Sequence, residues 1–417
     1  MNVIPGNREL ILKINTVNIL NLIKNYGPVS RTTIAQKVNL SLATVCKITN
    51  YLIEADLVCE IGEGESSGGR KPVLFKINYN GYYVVGIKLS EKLISVVLAN
   101  LGAEILYKKE LYFDSKNSIE SLVEKLTESY EIIVADSGLK KEKILGLGLG
   151  IPGHVDKMSG VCRYSGVLGW KDIPLGKILE ETLGICVIIN NDVNTLTVAE
   201  KWFGAGSSVA DFVVVTVGSG IGCGVVTNGN LYYGYSGAAG EFGHIKVTGD
   251  GPICECGKRG CLEALAAEPA IVRRVTEAIA LGETSDLKRI LCRDKEITIR
   301  DIIQAAKAGD NLAKRIYHSA GTYLGIGIAN LVNIINPQRV IVSGEGLRAG
   351  ELLTDPMIAA FRENCFPSIT NVTELIIEPL GDDAWARGAA SLVIEEIFKA
   401  PKFVYMNGKL KVILKST

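Results

Sequence analysis

The sequence predicts an α/β chain that opens with a winged helix-turn-helix and continues as two sheet-plus-helix lobes. Three observations carry this reading. Two short helical stretches separated by a tight turn lie in "VSRTTIAQKVNLSLATVCKITNYLIEADLV". Two strand-like runs follow, joined by a Gly/Ser-rich loop that ends in Arg70 and Lys71. From about Gly81 onward strands and helices alternate, which is the pattern of layered α/β lobes.

The first element is a helix. In "NTVNILNLIKNYGP", Val17, Leu20 and Ile23 share one face, and Gly27-Pro28 ends it. Ser30 is a good N-cap for the second helix, whose buried side is Ile34, Ala35 and Val38. Asn39-Leu40 makes the turn, Ser41 caps the third helix, and Val45, Ile48 and Leu52 recur there at helical spacing. Any small three-helix bundle would give this pattern. The strand-like runs "LVCEIGEG" and "PVLFKIN" add a wing, a hairpin whose basic tip suits a minor groove.

Charge supports the same conclusion. The whole chain carries 45 Lys+Arg and 45 Asp+Glu, so no global field points to nucleic acid. Residues 1–78, however, hold nine Lys/Arg and six Asp/Glu, a local balance of +3. DNA binding is therefore the better reading of this lobe. Ser41, Leu42, Thr44 and Lys47 lie on the exposed start of the third helix and are candidates for base edges. Gly69, Arg70 and Lys71 form the wing tip. Arg31 and Lys37 suit phosphates, which set register without reading sequence. For Lys37 and Lys47 the plainer alternative is a solvated helix face. One such lobe offers few contacts, so useful affinity calls for a homodimer, or a tetramer, on palindromic half-sites.

Beyond the wing, "YYVVGIKLS", "KLISVVLAN" and "EILYKKELYF" read as consecutive strands, followed by a helix over about 117–137 and the strand "ILGLGLGIPG". Further strands are expected at "ICVIINND", "FVVVTVGSGIGCGVVTNG" and "PQRVIVSGEG", with long helices over 268–281 and 308–334. The domain boundaries expected are 1–78, 79–192 with a helix over 384–400 returning to it, 193–383, and a tail over 401–417.

The totals agree with such a chain. Its 417 residues exceed one ordinary domain, and 47% apolar with 22% charged residues is a globular balance. No signal-peptide pattern and no stretch of about 18 uninterrupted apolar residues is present, so a cytoplasmic protein without a membrane span is expected. Ten cysteines, most of them scattered singly, argue against a secreted disulfide scaffold.

Three cysteines are not scattered. "GPICECGKRGCLEAL" places Cys254, Cys256 and Cys261 at C-x-C-x4-C spacing, three soft ligands that suit tetrahedral zinc. The loop holds no fourth ligand. The chain has three histidines, His154, His244 and His318, and His244 lies ten residues before Cys254.

The segments "GPICECGKRGCLEALAA", "GYSGAAGEFGHI", "INNDVNTLTVAEKWFGAG" and "VGSGIGCGV" together resemble the ROK family (repressor, open reading frame, kinase). The wing "GEGESSGGRKPVLF" and the overall layout resemble its xylose-repressor branch, and the likeness runs from about residue 7 to about residue 398. The resemblance implies a two-lobed actin/hexokinase-like (ribonuclease H-like) domain. It also implies His244, Cys254, Cys256 and Cys261 as zinc ligands, a closed set and so a structural metal rather than a hydrolytic one. Asn191, Asp192, Glu241, His244 and Glu263 are implied as sugar contacts, and the position of Asp192 is that of the general base in ROK kinases. Such a set fits a sugar, because each hydroxyl both donates and accepts.

The family contains ATP-dependent sugar kinases and sugar-responsive regulators, and the phosphate loops separate the two. Where the kinases have G-I-D-I-G-G-T, this chain has "GIKLSEK". Lys88 replaces the Asp that manages the metal, and Ser90 and Glu91 replace glycines that let backbone amides approach phosphate. "VGSGIGCGV" keeps its glycines, and "IVSGEGL" keeps Gly344 and Gly346 but has Glu345 in place of a glycine. The expectation is a repressor of genes for xylose or a related sugar, with xylose or glucose as effector, structural zinc, no ATP and no catalysis. A ROK kinase with an added DNA-binding lobe is the alternative.

Overall fold

The computed structural model describes residues 8–64, 71–113, 118–291, 295–378, 383–399, 402–406 and 409–414. The chain divides into two compact units, residues 1–199 with 383–417, and residues 200–382.

The first unit begins with α1 (Arg8–Tyr26), β1 (Val29–Ser30), α2 (Arg31–Val38) and α3 (Leu42–Glu54), then β2 (Val58–Glu63) and β3 (Val73–Ile77). Both expected caps are made. Ser30 Oγ accepts from Thr33 N–H at 3.1 Å, and Ser41 Oγ accepts from Thr44 N–H at 3.2 Å. Asn39 closes α2 in the left-handed conformation, at φ 53°, which asparagine tolerates better than most residues. The strands form a sheet in the order β1-β3-β2. Ile19, Leu20, Ile34, Val45, Ile48, Leu52 and Phe75 are buried as the common core. Ala35 and Val38 are half-buried beside Ile34. This is the arrangement of a winged helix-turn-helix.

The same unit continues with β4 (Tyr83–Leu89), β5 (Leu93–Asn100), β6 (Ile105–Tyr112), α4 (Ile119–Ser137), β7 (Ile144–Ile151), β8 (His154–Asp156), β9 (Val161–Ser165), β10 (Trp170–Ile173), α5 (Leu175–Leu183), β11 (Cys186–Asn191) and α6 (Asp192–Phe203). Its main sheet has the order β11-β7-β4-β5-β6. The β4-β5-β6 ribbon is antiparallel, while β7 and β11 add on parallel. The small antiparallel sheet β10-β9-β8 was not among the expected strands.

The second unit repeats that plan. It contains β12 (Phe212–Val217), β13 (Ile221–Thr227), β14 (Asn230–Leu231), α7 (Glu263–Ala266), α8 (Glu268–Ala280), α9 (Lys288–Leu291), α10 (Ile299–Ala308), α11 (Asn311–Ile335), β15 (Arg339–Ser343), α12 (Glu351–Asn364) and β16 (Glu374–Ile377). The order β14-β13-β12-β15-β16 again joins an antiparallel ribbon to two parallel strands. The helices expected over 268–281 and 308–334 are α8 and α11.

The chain then returns to the first unit as α13 (Ala384–Lys399), with β17 (Lys402–Met406) and β18 (Lys409–Ile413) pairing as a hairpin in the tail. On β4 and β7, Val85, Ile87, Leu147 and Leu149 join the core that includes α4 and α5. Alternate residues face the other way, and α13 lies there against bare backbone. A Cβ at Gly148 would stand 1.8 Å from the Ala389 carbonyl oxygen. The far end of α13 meets the winged helix, where Asn21 Nδ2 donates to the Phe398 carbonyl at 2.9 Å. A second tie is Lys143, whose ammonium reaches Asp56 Oδ2 at 2.5 Å and the Gly81 carbonyl at 2.8 Å. Among the described residues, no helix is long and apolar enough to cross a membrane.

Gly148→Val should force α13 off the sheet and destabilise the protein by about 3 kcal/mol or more. Urea unfolding checks this, and an unshifted midpoint would show that the contact is not tight.

Candidate functional site

Phe242–His244 form one turn of 3-10 helix, and the loop after it folds back on the cysteine segment. Val247 N–H bonds to the Gly260 carbonyl at 2.9 Å, and Leu262 N–H bonds to that of Ile245 at 3.0 Å. The cysteine segment is itself a tight knuckle. Cys254 N–H bonds to the Lys258 carbonyl and Gly257 N–H to that of Cys254, each at 2.8 Å. Gly260 adopts φ +77°, and a Cβ there would lie 2.0 Å from the Thr248 carbonyl oxygen, so glycine is required.

This folding gathers His244, Cys254, Cys256 and Cys261, whose ligand atoms all lie within 4.8 Å of one another. The Nδ1 of His244 is 3.6 Å from Cys254 Sγ, and Cys256 Sγ is 3.7 Å from Cys261 Sγ. Tetrahedral zinc, with Zn–S of about 2.3 Å and Zn–N of about 2.0–2.1 Å, places its ligand atoms about 3.6–3.8 Å apart. The residues therefore fit the metal that their spacing suggests. Burial pushes the Cys254 thiol up to about 12 and raises Cys261 as well, while the Lys258 backbone N–H lowers Cys256. A bound dication would supply the charge that holds such thiolates together and would tie the two loops to each other.

Two of the implied sugar contacts flank this cluster. His244 Nε2, the ring nitrogen opposite the cluster-facing Nδ1, lies 3.8 Å from the exposed Glu241 carboxylate. Glu263 heads α7, and its Oε2 accepts from Ile221 N–H at 3.0 Å, which ties the knuckle to the glycine turn between β12 and β13. At the same turn, the Glu345 carboxylate faces the Ser219 backbone N–H at 3.4 Å and its hydroxyl at 3.5 Å. A side-chain anion thus stands against an amide of this glycine-rich loop.

In the first unit, β11 delivers Asn191 and Asp192 to the start of α6. Asn191 Nδ2 donates to the Gly153 carbonyl at 3.0 Å, and its Oδ1 accepts from Asn194 N–H at 3.2 Å. Asp192 Oδ1 accepts from Val193 N–H at 2.9 Å, and Oδ2 is ion-paired with the Lys88 ammonium. Only 16% of the Lys88 side chain and 15% of that of Asp192 are exposed. The same ammonium sits 4.6 Å from the centre of the Trp385 ring, a cation–π distance. Sequence reasoning named Lys88 as a substitution and Asp192 as a site residue but did not pair them, and it did not assign Trp385.

On the winged helix, Ser41, Leu42 and Lys47 are exposed and Thr44 is half-buried. Lys37 is exposed, with its ammonium 4.4 Å from the Tyr26 ring. Arg31 has internal partners. Its Nε donates to Thr49 at 2.8 Å, its Nη2 to Asn50 at 2.5 Å, and the guanidinium stacks 4.7 Å from the Phe75 ring. Lys71 is exposed, while Gly69 and Arg70 lie outside the described residues.

The model of the ROK family matches residues 84–396. The xylose repressor of Caldicellulosiruptor bescii is 32% identical over 398 residues, which is 95% of this chain and 100% of that protein. Among solved structures, a ROK family transcriptional regulator homologous to the E. coli MLC protein superposes with a TM-score of 0.81 at 30% identity, over 93% of this chain and 97% of that one. A ROK family glucokinase from Streptomyces griseus, in complex with glucose and AMPPNP, gives 0.64 at 28% identity over 74% of this chain and 98% of its own.

Metal analysis of the purified protein should find about one zinc per chain, and Cys261→Ala should lose it together with thermal stability. Full stability in a zinc-free Cys261→Ala protein would remove the metal from the account.

Proposed function

Because the chain belongs to the ROK family, we propose that it is a sugar-responsive transcriptional repressor in which a winged helix binds operator DNA and a monosaccharide is the effector. The observation that carries this reading is a winged helix joined to a ROK domain in which Lys88 is ion-paired with Asp192. Lys88 stands where the kinases carry the Asp that manages the metal, so an ammonium takes the place of a metal-binding carboxylate. Glu345 acts in the same direction at the other loop, since a carboxylate facing the Ser219 amide opposes the approach of a phosphate. Both features speak for a regulator without kinase activity.

The effector contacts proposed are Asn191, Asp192, Glu241, His244 and Glu263. His244 can serve two roles because Nδ1 faces the thiol cluster and Nε2 faces Glu241. The likeness to a xylose repressor makes xylose the first candidate effector, with glucose next. Zinc is structural in this reading. The DNA contacts proposed are Ser41, Leu42, Thr44 and Lys47 in the major groove, Gly69, Arg70 and Lys71 at the wing, and Arg31 and Lys37 toward phosphate. A homodimer on paired half-sites supplies the affinity that one lobe lacks, and sugar binding relieves repression.

Incubation with ATP, magnesium and a sugar panel should give no sugar phosphate, and turnover above background would make the protein a kinase. Lys47→Ala should weaken operator binding about tenfold, as gel-shift titration would report. Unchanged affinity would take the third helix out of the groove.

A further inference from the structure

We propose that Lys88 is itself a sugar-contacting residue, and that it positions Asp192 to receive a hydroxyl. The proposal rests on the effector reading above and deepens it by naming what the site recognises. Lys88 lies near the end of β4, Asp192 heads α6 and Trp385 stands at the head of α13. These three elements of one unit bring an ammonium, a carboxylate and an indole together.

The hydrogen-bonding capacity of the pair is not exhausted by its own contact. A carboxylate has about four lone-pair sites, and Asp192 uses one oxygen for Val193 N–H and the other for Lys88. An ammonium carries three N–H groups. One is directed to Asp192, and the indole face attracts the charge without accepting a conventional hydrogen bond.

A sugar hydroxyl donates and accepts at once. Beside an isolated carboxylate only its proton is used. Beside this pair it donates to Asp192 and accepts from Lys88, so both of its functions are read. The charges of the pair balance each other, which favours an uncharged polyol over an anionic one. The indole adds a flat apolar surface of the kind that suits the C–H side of a pyranose or furanose ring. A buried pair without such a ligand contributes little to stability, so recognition gives this one a role that packing does not.

Calorimetry with xylose and glucose on the full chain tests the proposal. Lys88→Met should weaken binding about tenfold or more, the expected loss for removing a charged donor. Lys88→Arg keeps the charge and the donor and should recover most of that loss. If Lys88→Met does not fold, the double variant Lys88→Met/Asp192→Asn, which removes both charges together, carries the test. It should bind about tenfold more weakly than Asp192→Asn alone, whereas a lysine that only balanced charge would leave those two variants alike. Wild-type affinity in Lys88→Met, or a double variant that binds as well as Asp192→Asn, overturns the role of Lys88. A wild-type protein that binds neither these nor any other monosaccharide overturns the effector reading itself.

Discussion

Much of the first unit depends on one close contact, that of α13 with the bare backbone of β4 and β7. Glycine at 148 removes the side chain that would hold the helix away, and a Cβ there would overlap the Ala389 carbonyl. The 16 residues of α13 span about 24 Å. At one end Trp385 faces the Lys88 ammonium, and at the other Asn21 of the winged helix bonds to the Phe398 carbonyl. A helix seated so closely moves as a whole or not at all. Helix α13 thus connects the candidate sugar-recognition residues to the DNA-binding lobe within one compact unit.

Charge placement gives the α/β domain its character. In each unit a charged side chain is set against a polar partner. Lys88 is paired with Asp192, and Glu345 faces the amide of Ser219. The thiol–imidazole cluster has a different task. It lies where the turn that carries Glu241 meets the segment that carries Glu263, and the proposed zinc would tie the two through a closed coordination shell.

The legible parts of the sequence were the local ones. Ser30 and Ser41 announced helix starts because capping depends on residues three positions apart, and the spacing of Val45, Ile48 and Leu52 marked the buried face of α3. The cysteine knuckle was equally readable, since its three thiols lie within eight positions. The small sheet β10-β9-β8 escaped because strands of three to five residues with turns between them leave almost no periodic signal. The internal partners of Arg31, Thr49, Asn50 and Phe75, lie 18 to 44 positions away, so no local pattern announced them. The Lys88–Asp192 pair joins residues 104 positions apart, and no spacing rule connects them. The one available signal was the replacement of an acidic family residue by a basic one within a domain that kept its other carboxylate.

The central claim is that sugar alone, without phosphoryl transfer, changes how tightly this protein holds DNA. Fluorescence anisotropy with a labelled operator, recorded across a xylose titration in ATP-free buffer, measures that directly. The account predicts that saturating sugar weakens operator binding by about tenfold or more, within the usual range of allosteric coupling. An operator affinity that stays constant while calorimetry shows the sugar bound, or that falls only when ATP is added, would contradict it.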